Sequence, residues 1–294
     1  VAIDVTAGYF VYASEFALAS SPGGLVAGRR AIVTGASRGI GAGIAERLAY
    51  EGADVAIVAR TVDEHDHLAG SLSSTLERLA GSGRVTAAVA ADLSDPASRS
   101  TIVARAEEAL GGPIDILVNN AAAAIYAPLS TYPFKRRQIT FQVNVEAPLD
   151  LAQAVVPGML ERGEGWILNV SSATARLPER LADNDSATTM AVYGASKAAL
   201  NRLTVGLAAE LLDSGIRVNT VEPRAAVLSE GAAALVGDRL DPSQIESMEQ
   251  MVEAALYLCR CDPDVTGRVT VSLDILEQTG IAVRALDGRD LAPA

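Results

Sequence analysis

Along the chain, short runs of consecutive apolar residues alternate with longer stretches in which apolar residues recur every three or four positions. Residues 31–33 form the first run, and 54–59 (DVAIVA), 84–90 (RVTAAVA), 114–118 (IDILV), 165–170 (GWILNV) and 216–221 repeat its character. Runs that are apolar on both faces belong to strands covered on both sides. Between them, helical spacing predicts helices from Ile40 to about residue 51 and over 68–79, 96–110, 148–161 and 190–213. Strand and helix in strict alternation predict an α/β fold, a single doubly wound parallel sheet with helices on both faces. In such a sheet the ligand crevice lies at the carboxyl ends of the strands. The absence of a fixed-period repeat and of a low-complexity linker points to one body.

The first strand runs straight into Thr34-Gly-Ala-Ser-Arg-Gly-Ile-Gly41 and then into a helix whose Ile40, Ile44 and Leu48 share one face, with Gly52 placed to stop it. Gly35, Gly39 and Gly41 stand where the backbone turns sharply and comes close to a ligand. A strand, a glycine turn and a helix N-terminus bring unpaired amides and the positive end of a helix dipole to one point, an anion site. The expected anion is the pyrophosphate of a dinucleotide, with Gly35, Ser37, Arg38, Gly39, Ile40 and Gly41 around it.

Composition narrows the function classes. The 294 residues, 49% of them hydrophobic, suffice for a sizeable core, and a net charge of −12 with a pI near 4.7 argues against a nucleic-acid partner. Cys259 and Cys261 are too close together to staple distant segments and lack the companions of a zinc site, so a reduced, cytoplasmic setting is expected. His65 and His67 sit in a charged run, and no metal site is expected there. Residues 1–22 are apolar and aromatic, but Asp4 and Glu15 interrupt them and no basic residue precedes them. They are neither a membrane span nor a signal peptide by pattern, and the initial valine leaves room for an upstream segment. Tyr9, Phe10, Val11 and Tyr12 would be costly in water, so this arm is expected to pack on the body or on a neighbouring subunit.

The chemistry points to the helix over 190–213. Tyr193 and Lys197 lie four apart on one helix face, which brings an ammonium toward a phenol. A nearby cation favours phenolate and lowers the tyrosine's high pKa, as acid/base work near neutrality requires. Ser172, at the end of the strand GWILNV, and Asn144, in Phe141-Gln-Val-Asn-Val-Glu, add polar groups near element ends.

With these residues in place, the sequence resembles the short-chain dehydrogenase/reductase family over about residues 28–271. The glycine turn, Asp92-Leu93, Asn119-Asn120-Ala121, Asn144, Ser172, Tyr193, Lys197 and Pro223 match that family's motifs in order. The resemblance implies a nicotinamide-dependent oxidoreductase on a Rossmann domain, here residues 29–273 between an arm (1–28) and a tail (274–294), assembled as a dimer or tetramer. It implies Tyr193 as general acid or base, Lys197 lowering its pKa and holding the nicotinamide ribose, Ser172 bonding the reacting oxygen and Asn144 supporting a water relay. Asp92 and Leu93 would border the adenine, Asn120 and Ala121 the adenosine ribose, and Pro223 the nicotinamide end. It also implies a small carbonyl compound or alcohol as the substrate.

An NAD site places a carboxylate about twenty residues past the glycine turn. Here the second strand ends Ala59-Arg60-Thr61, and Arg60 with Arg38 can flank a ribose phosphate, which favours NADP(H) over NAD(H); Asp63 and Glu64 nearby keep NAD(H) open. Departures from the family pattern gather at the reacting end. Ala122 and Arg224 stand where glycine is usual, Leu228 where a threonine is usual, with Ser229 beside it. The loop between Ser172 and Tyr193 is long and polar (Pro178-Glu-Arg, Asp183-Asn-Asp), and the tail lacks the usual glycine pair. The altered Pro223-Arg224 segment also supports an alternative, a nucleotide sensor or scaffold without turnover. Arg224 must point outward to solvent or inward over the pocket. Inward, it would need an anion, expected on the substrate, with the cofactor phosphates, Glu179 or Asp183 as other candidates.

Overall fold

The computed structural model describes residues 9–12, 24–63, 69–177, 189–224, 226–227 and 245–291. His65, His67, Leu68, Leu228, Ser229 and the loop over 178–188 lie outside the described residues. In chain order the strands are β1 (Tyr9–Tyr12), β2 (Arg30–Thr34), β3 (Asp54–Ala59), β4 (Thr86–Ala90), β5 (Ile116–Asn119), β6 (Gly165–Val170), β7 (Ile216–Glu222), β8 (Ala226–Val227), β9 (Ile245–Glu246) and β10 (Val269–Val271). The main sheet runs β1-β4-β3-β2-β5-β6-β7-β10, while β8 and β9 form a separate parallel pair. Seven strands of the main sheet are parallel; β1 pairs antiparallel with β4, Tyr9 opposite Val89 and Tyr12 opposite Thr86.

The chain winds outward from β2 through β3 and β4, then returns to β5 on the other side of β2. That reversal leaves a crevice at the carboxyl ends of β2 and β5, where the glycine turn lies. Side chains of β2 alternate between two apolar layers, as strand geometry demands. Ala31 and Val33 join Ile44 and Leu48 of α1 (Gly39–Tyr50) and Leu76 of α2 (Leu72–Leu79) in one layer. Ile32 joins the other with α4 (Ile102–Leu110) and α6 (Ala147–Arg162), through Ile102, Leu151 and Val155. The remaining helices are α3 (Pro96–Arg99), α5 (Phe134–Phe141), α7 (Ala191–Glu210), α8 (Met248–Leu258) and α9 (Ser272–Thr279).

Three helix expectations change for local reasons. The helix expected from residue 68 begins at Leu72, because Gly70 (φ +95) and a reciprocal cap set its start. In that cap the Ser74 amide donates to the Ser71 hydroxyl oxygen and the Ser71 amide to Ser74 Oγ. The helix expected over 96–110 is two, since the Ser100 and Thr101 hydroxyls donate back to the Ala97 and Ser98 carbonyls and divert the backbone. Asn144, expected near an element end, sits within a continuous helical run: α5 passes into α6 through the wide π turn Gln142–Glu146.

The C-terminal segment is held on α1 by a buried ion cluster. Arg47, 1% exposed, pairs with Glu51 at 3.0 Å and with Glu253 of α8 at 2.8 Å, and donates to the Ala285 carbonyl. Glu253 also accepts from the Arg284 amide, and Glu51 from the Leu25 amide. The cluster thereby joins the segment before β2, at Leu25, and the segment after α9, at Arg284 and Ala285, to the helix after the glycine turn.

Candidate active site

Because seven strands are parallel, everything that follows their carboxyl ends falls on one edge of the sheet. The glycine turn follows β2, Arg60 β3, Asp92 and Leu93 β4, Asn120 and Ala121 β5, Ser172 β6, and Pro223 β7. Topology thus brings residues spread over about two hundred positions to one rim.

At the nucleotide end, Gly35 (φ +67) and Gly41 let the turn press against the loop after β5. A Cβ on Gly35 would stand 2.7 Å from the Ala121 Cα, and one on Gly41 2.3 Å from the side-chain Nδ2 of Asn120. Thr34 Oγ1 accepts from the Asn120 and Ala121 amides at 3.0 and 3.1 Å, and Asn120 Nδ2 donates to the Thr34 carbonyl at 2.9 Å. Asn120 therefore clamps the turn. Arg38 precedes α1, and its own side chain makes no cap hydrogen bond to that helix. Arg38 Nη2 donates to the Gly70 carbonyl at 3.1 Å; Arg60 is exposed and within electrostatic reach of Asp92. Burial raises the Asp92 carboxyl, but bonds from Ser94 and the charge of Arg60 outweigh it and hold the group below the usual carboxylate range. Ser37 and Leu93 are buried, and Ile40, Ala121 and Pro223 half-buried. The glycine turn at the start of α1 and the exposed Arg60 fit a dinucleotide with a ribose phosphate.

At the reacting end, Tyr193 and Lys197 lie in the first two turns of α7, both buried. The Tyr193 hydroxyl hydrogen-bonds with Ser172, whose Oγ also accepts from Thr174 Oγ1 at 2.9 Å. Gly194 makes this approach possible, since a Cβ there would stand 2.5 Å from the Thr174 carbonyl oxygen. Asn144 lies deeper: its Nδ2 donates to Ser196 Oγ at 2.9 Å and its Oδ1 accepts from the Ala123 amide at 2.8 Å, which ties the loop after β5 to α7.

The expected lowering of the Tyr193 pKa by Lys197 is overturned. Burial, with a smaller push from the Tyr126 phenol, raises Tyr193 well above the usual tyrosine range, against the Ser172 hydrogen bond. Lys197 is buried too; desolvation lowers it to about 8, and its Nζ turns to the Val170 carbonyl at 2.7 Å. In this arrangement desolvation outweighs the cation. Arg224 takes the outward of its two expected directions, its side chain half-exposed, and only the expectation of a substrate anion is corrected. Its guanidinium bonds Asp274 at 2.7 Å and Glu277 at 2.9 Å on α9, so its anionic partners belong to the chain itself rather than to a substrate. Ala122 is exposed.

Sequence reasoning missed Tyr126, whose ring meets Tyr193 edge-on at 5.8 Å and 69°. It also missed Ser196, though Ser196 directly precedes Lys197, and Glu222, a buried acid at the end of β7 just before Pro223. Among the described residues no group of His, Cys, Asp and Glu could hold a metal ion, both cysteines are free and buried, and no helix is long and apolar enough to cross a membrane.

Known proteins bear on this geometry. A family model described as short chain dehydrogenase matches residues 29–238. L-xylulose reductase of Bos taurus is 34% identical over 260 residues, covering 85% of this chain and 96% of the relative. Hydroxysteroid dehydrogenase-like protein 2 of Danio rerio is 32% identical over 258 residues, which cover 88% of this chain but only 60% of that longer protein. A short chain dehydrogenase from Burkholderia cenocepacia J2315, solved in complex with NADP, superposes with a TM-score of 0.70 at 32% identity, covering 84% of this chain and 96% of that one.

Proposed function

The chain belongs to the short-chain dehydrogenase family, and we propose that it is an NADP(H)-dependent oxidoreductase that interconverts a carbonyl and an alcohol, with Tyr193 as acid and base. One observation carries this reading: a buried tyrosine hydroxyl, hydrogen-bonded with Ser172 and backed by Lys197, on the same rim as the glycine turn. The cofactor supplies or accepts the hydride. Gly35, Ser37, Arg38, Gly39, Ile40 and Gly41 would hold its pyrophosphate, Arg38 and Arg60 its ribose phosphate, and Asp92, Leu93, Asn120 and Ala121 its adenosine. Lys197 and Pro223 would meet its nicotinamide half.

In carbonyl reduction Tyr193 gives its proton to the developing alkoxide, and Ser172 fixes the reacting oxygen. The raised pKa keeps Tyr193 protonated, which suits it as the acid; a cationic Lys197 turned from Val170 toward the phenol would favour the reverse direction. Asn144, through Ser196, keeps α7 in register with the loop after β5. The NADP bound by the Burkholderia cenocepacia relative supports the choice of nucleotide, as do Arg38 and Arg60. Assembly as a dimer or tetramer belongs to the same reading, and sedimentation measures it.

The test is consumption of NADPH with a panel of small ketones and aldehydes, and of NADP with the matching alcohols. A chain that binds NADPH tightly and turns over none of them in either direction would favour the sensor or scaffold reading. The fixation of Arg224 by α9, at the position where the family has glycine, is the observation on that side.

A further inference from the structure

Glu222 ends β7 one residue before Pro223 and is 2% exposed. Its Oε1 lies 3.0 Å from Arg176 Nε, and Asn201 hydrogen-bonds to the same carboxylate. Its Oε2 is buried without a hydrogen-bond partner among the described residues. A buried carboxylate with one oxygen unpaired carries a desolvation cost that an apolar side chain at the same strand end would avoid. What it holds is therefore informative.

Arg176 directly follows the short 3-10 turn Ala173–Ala175, which Ser172 caps, and Arg176 Nη2 donates to the Arg224 carbonyl at 2.8 Å. Asn201 lies on α7 one turn beyond Lys197 and two beyond Tyr193. Glu222 thus grips, on one side, the segment that carries Ser172 and, on the other, the helix that carries Tyr193. The ends of β6 and β7 stay level through the Ser171 amide, which donates to the Val221 carbonyl at 2.8 Å, so the grip acts just below the Ser172 hydroxyl. The contact of the Thr174 carbonyl with Gly194 sets how closely the two elements approach. A contact point alone lets them slide; a charged hydrogen bond at a second point removes that freedom.

We propose that Glu222 is a positioning residue that clips the Ser172 segment to α7 through Arg176 and Asn201 and so sets the Ser172 hydroxyl against that of Tyr193. For its effect on catalysis the inference rests on the oxidoreductase reading. Reacting groups lose rate steeply when displaced by an ångström, so a clip of this kind acts on turnover more than on binding.

The test uses Glu222→Gln, which keeps the shape and removes the charge, and Arg176→Ala, whose half-exposed side chain can be truncated without opening the core. Hydrogen exchange of a peptide spanning 170–177 is expected to quicken about tenfold in both variants, because the Thr174, Ala175 and Arg176 amides are held by Ser172 and Ala173. Per NADPH-binding site, kcat should fall about tenfold with NADPH affinity unchanged, and the double variant should be no worse than either single one. Unchanged exchange in both variants overturns the proposal whatever the activity. Faster exchange with full kcat also overturns it, as do additive losses in the double variant. If the wild-type chain reduces no carbonyl compound, the oxidoreductase reading falls, while the exchange result still decides the clip.

Discussion

The Lys197 ammonium donates to the Val170 carbonyl at 2.7 Å and stands 5.9 Å from the centre of the Tyr193 ring. The lysine is thus held by the strand that leads to Ser172, at the price of complete burial. Its native pKa of about 8 lies below the ordinary 10.5, so between those values the unfolded chain binds more protons than the folded one. Stability from this group is therefore lowest below pH 8 and recovers as pH rises toward 10.5. Replacing Lys197 with methionine should stabilise the cofactor-free chain by roughly 2 kcal/mol at pH 7, the desolvation gain less the lost hydrogen bond. Urea melts at several pH values check this: the gap to wild type should narrow between pH 8 and 10.5, and a gap independent of pH would refute the cause given.

Tyr193→Phe keeps the ring and its edge contact with Tyr126 and removes only the hydroxyl that meets Ser172. Turnover should drop at least about a hundredfold, as loss of a positioned acid implies. Binding of NADPH, followed by its fluorescence, should hardly change. Retention of half the wild-type rate would remove Tyr193 from the mechanism.

Arg38 and exposed Arg60 should make NADPH the better stabiliser. At about a hundred times its dissociation constant a ligand adds roughly 2.7 kcal/mol, a readily measured shift in Tm. The NADPH shift should exceed the NADH shift at equal concentration, and Arg60→Ala should shrink the difference. Equal shifts across a titration would mean that the arginines serve only Gly70 and Asp92.

Arg47→Met should destabilise the chain by about 3 to 5 kcal/mol, because it strands Glu51 and Glu253 as buried carboxylates without their cation. The loss should show as a lower urea midpoint. It should be smaller in the double variant with Glu253→Gln, where one of the two stranded charges is also gone. A single variant as stable as wild type would show that the cluster does not hold the C-terminal segment.

Arg224 illustrates where pattern reading ran out. From the sequence, an arginine in the place of a glycine beside the pocket invites an anionic substrate. The carboxylates that claim it, Asp274 and Glu277, lie about fifty residues further on, on a helix in the segment that the sequence pattern leaves as a tail. Charge alone announces the need for a partner but not where the partner comes from. The helix break at Ser100 and Thr101 failed to register for a more local reason: the apolar spacing continues across it, and only the hydroxyls compete with the backbone.

The strand runs, the glycine turn and the Tyr193 to Lys197 spacing were determined by sequence alone, because burial on both faces, positive φ and helical pitch are properties of neighbouring residues. From them follow the parallel sheet and, since parallel strands end on one edge, the rim that collects Gly35, Asn120, Ser172 and Pro223. Only the tertiary structure decided the direction of the Tyr193 pKa, which depends on how much water burial removes. It alone decided the partner of Arg47, 238 residues away at Ala285, and the hold of Glu222 on Arg176. Such contacts join elements whose separation along the chain carries no information about their distance in space, so no local pattern records them.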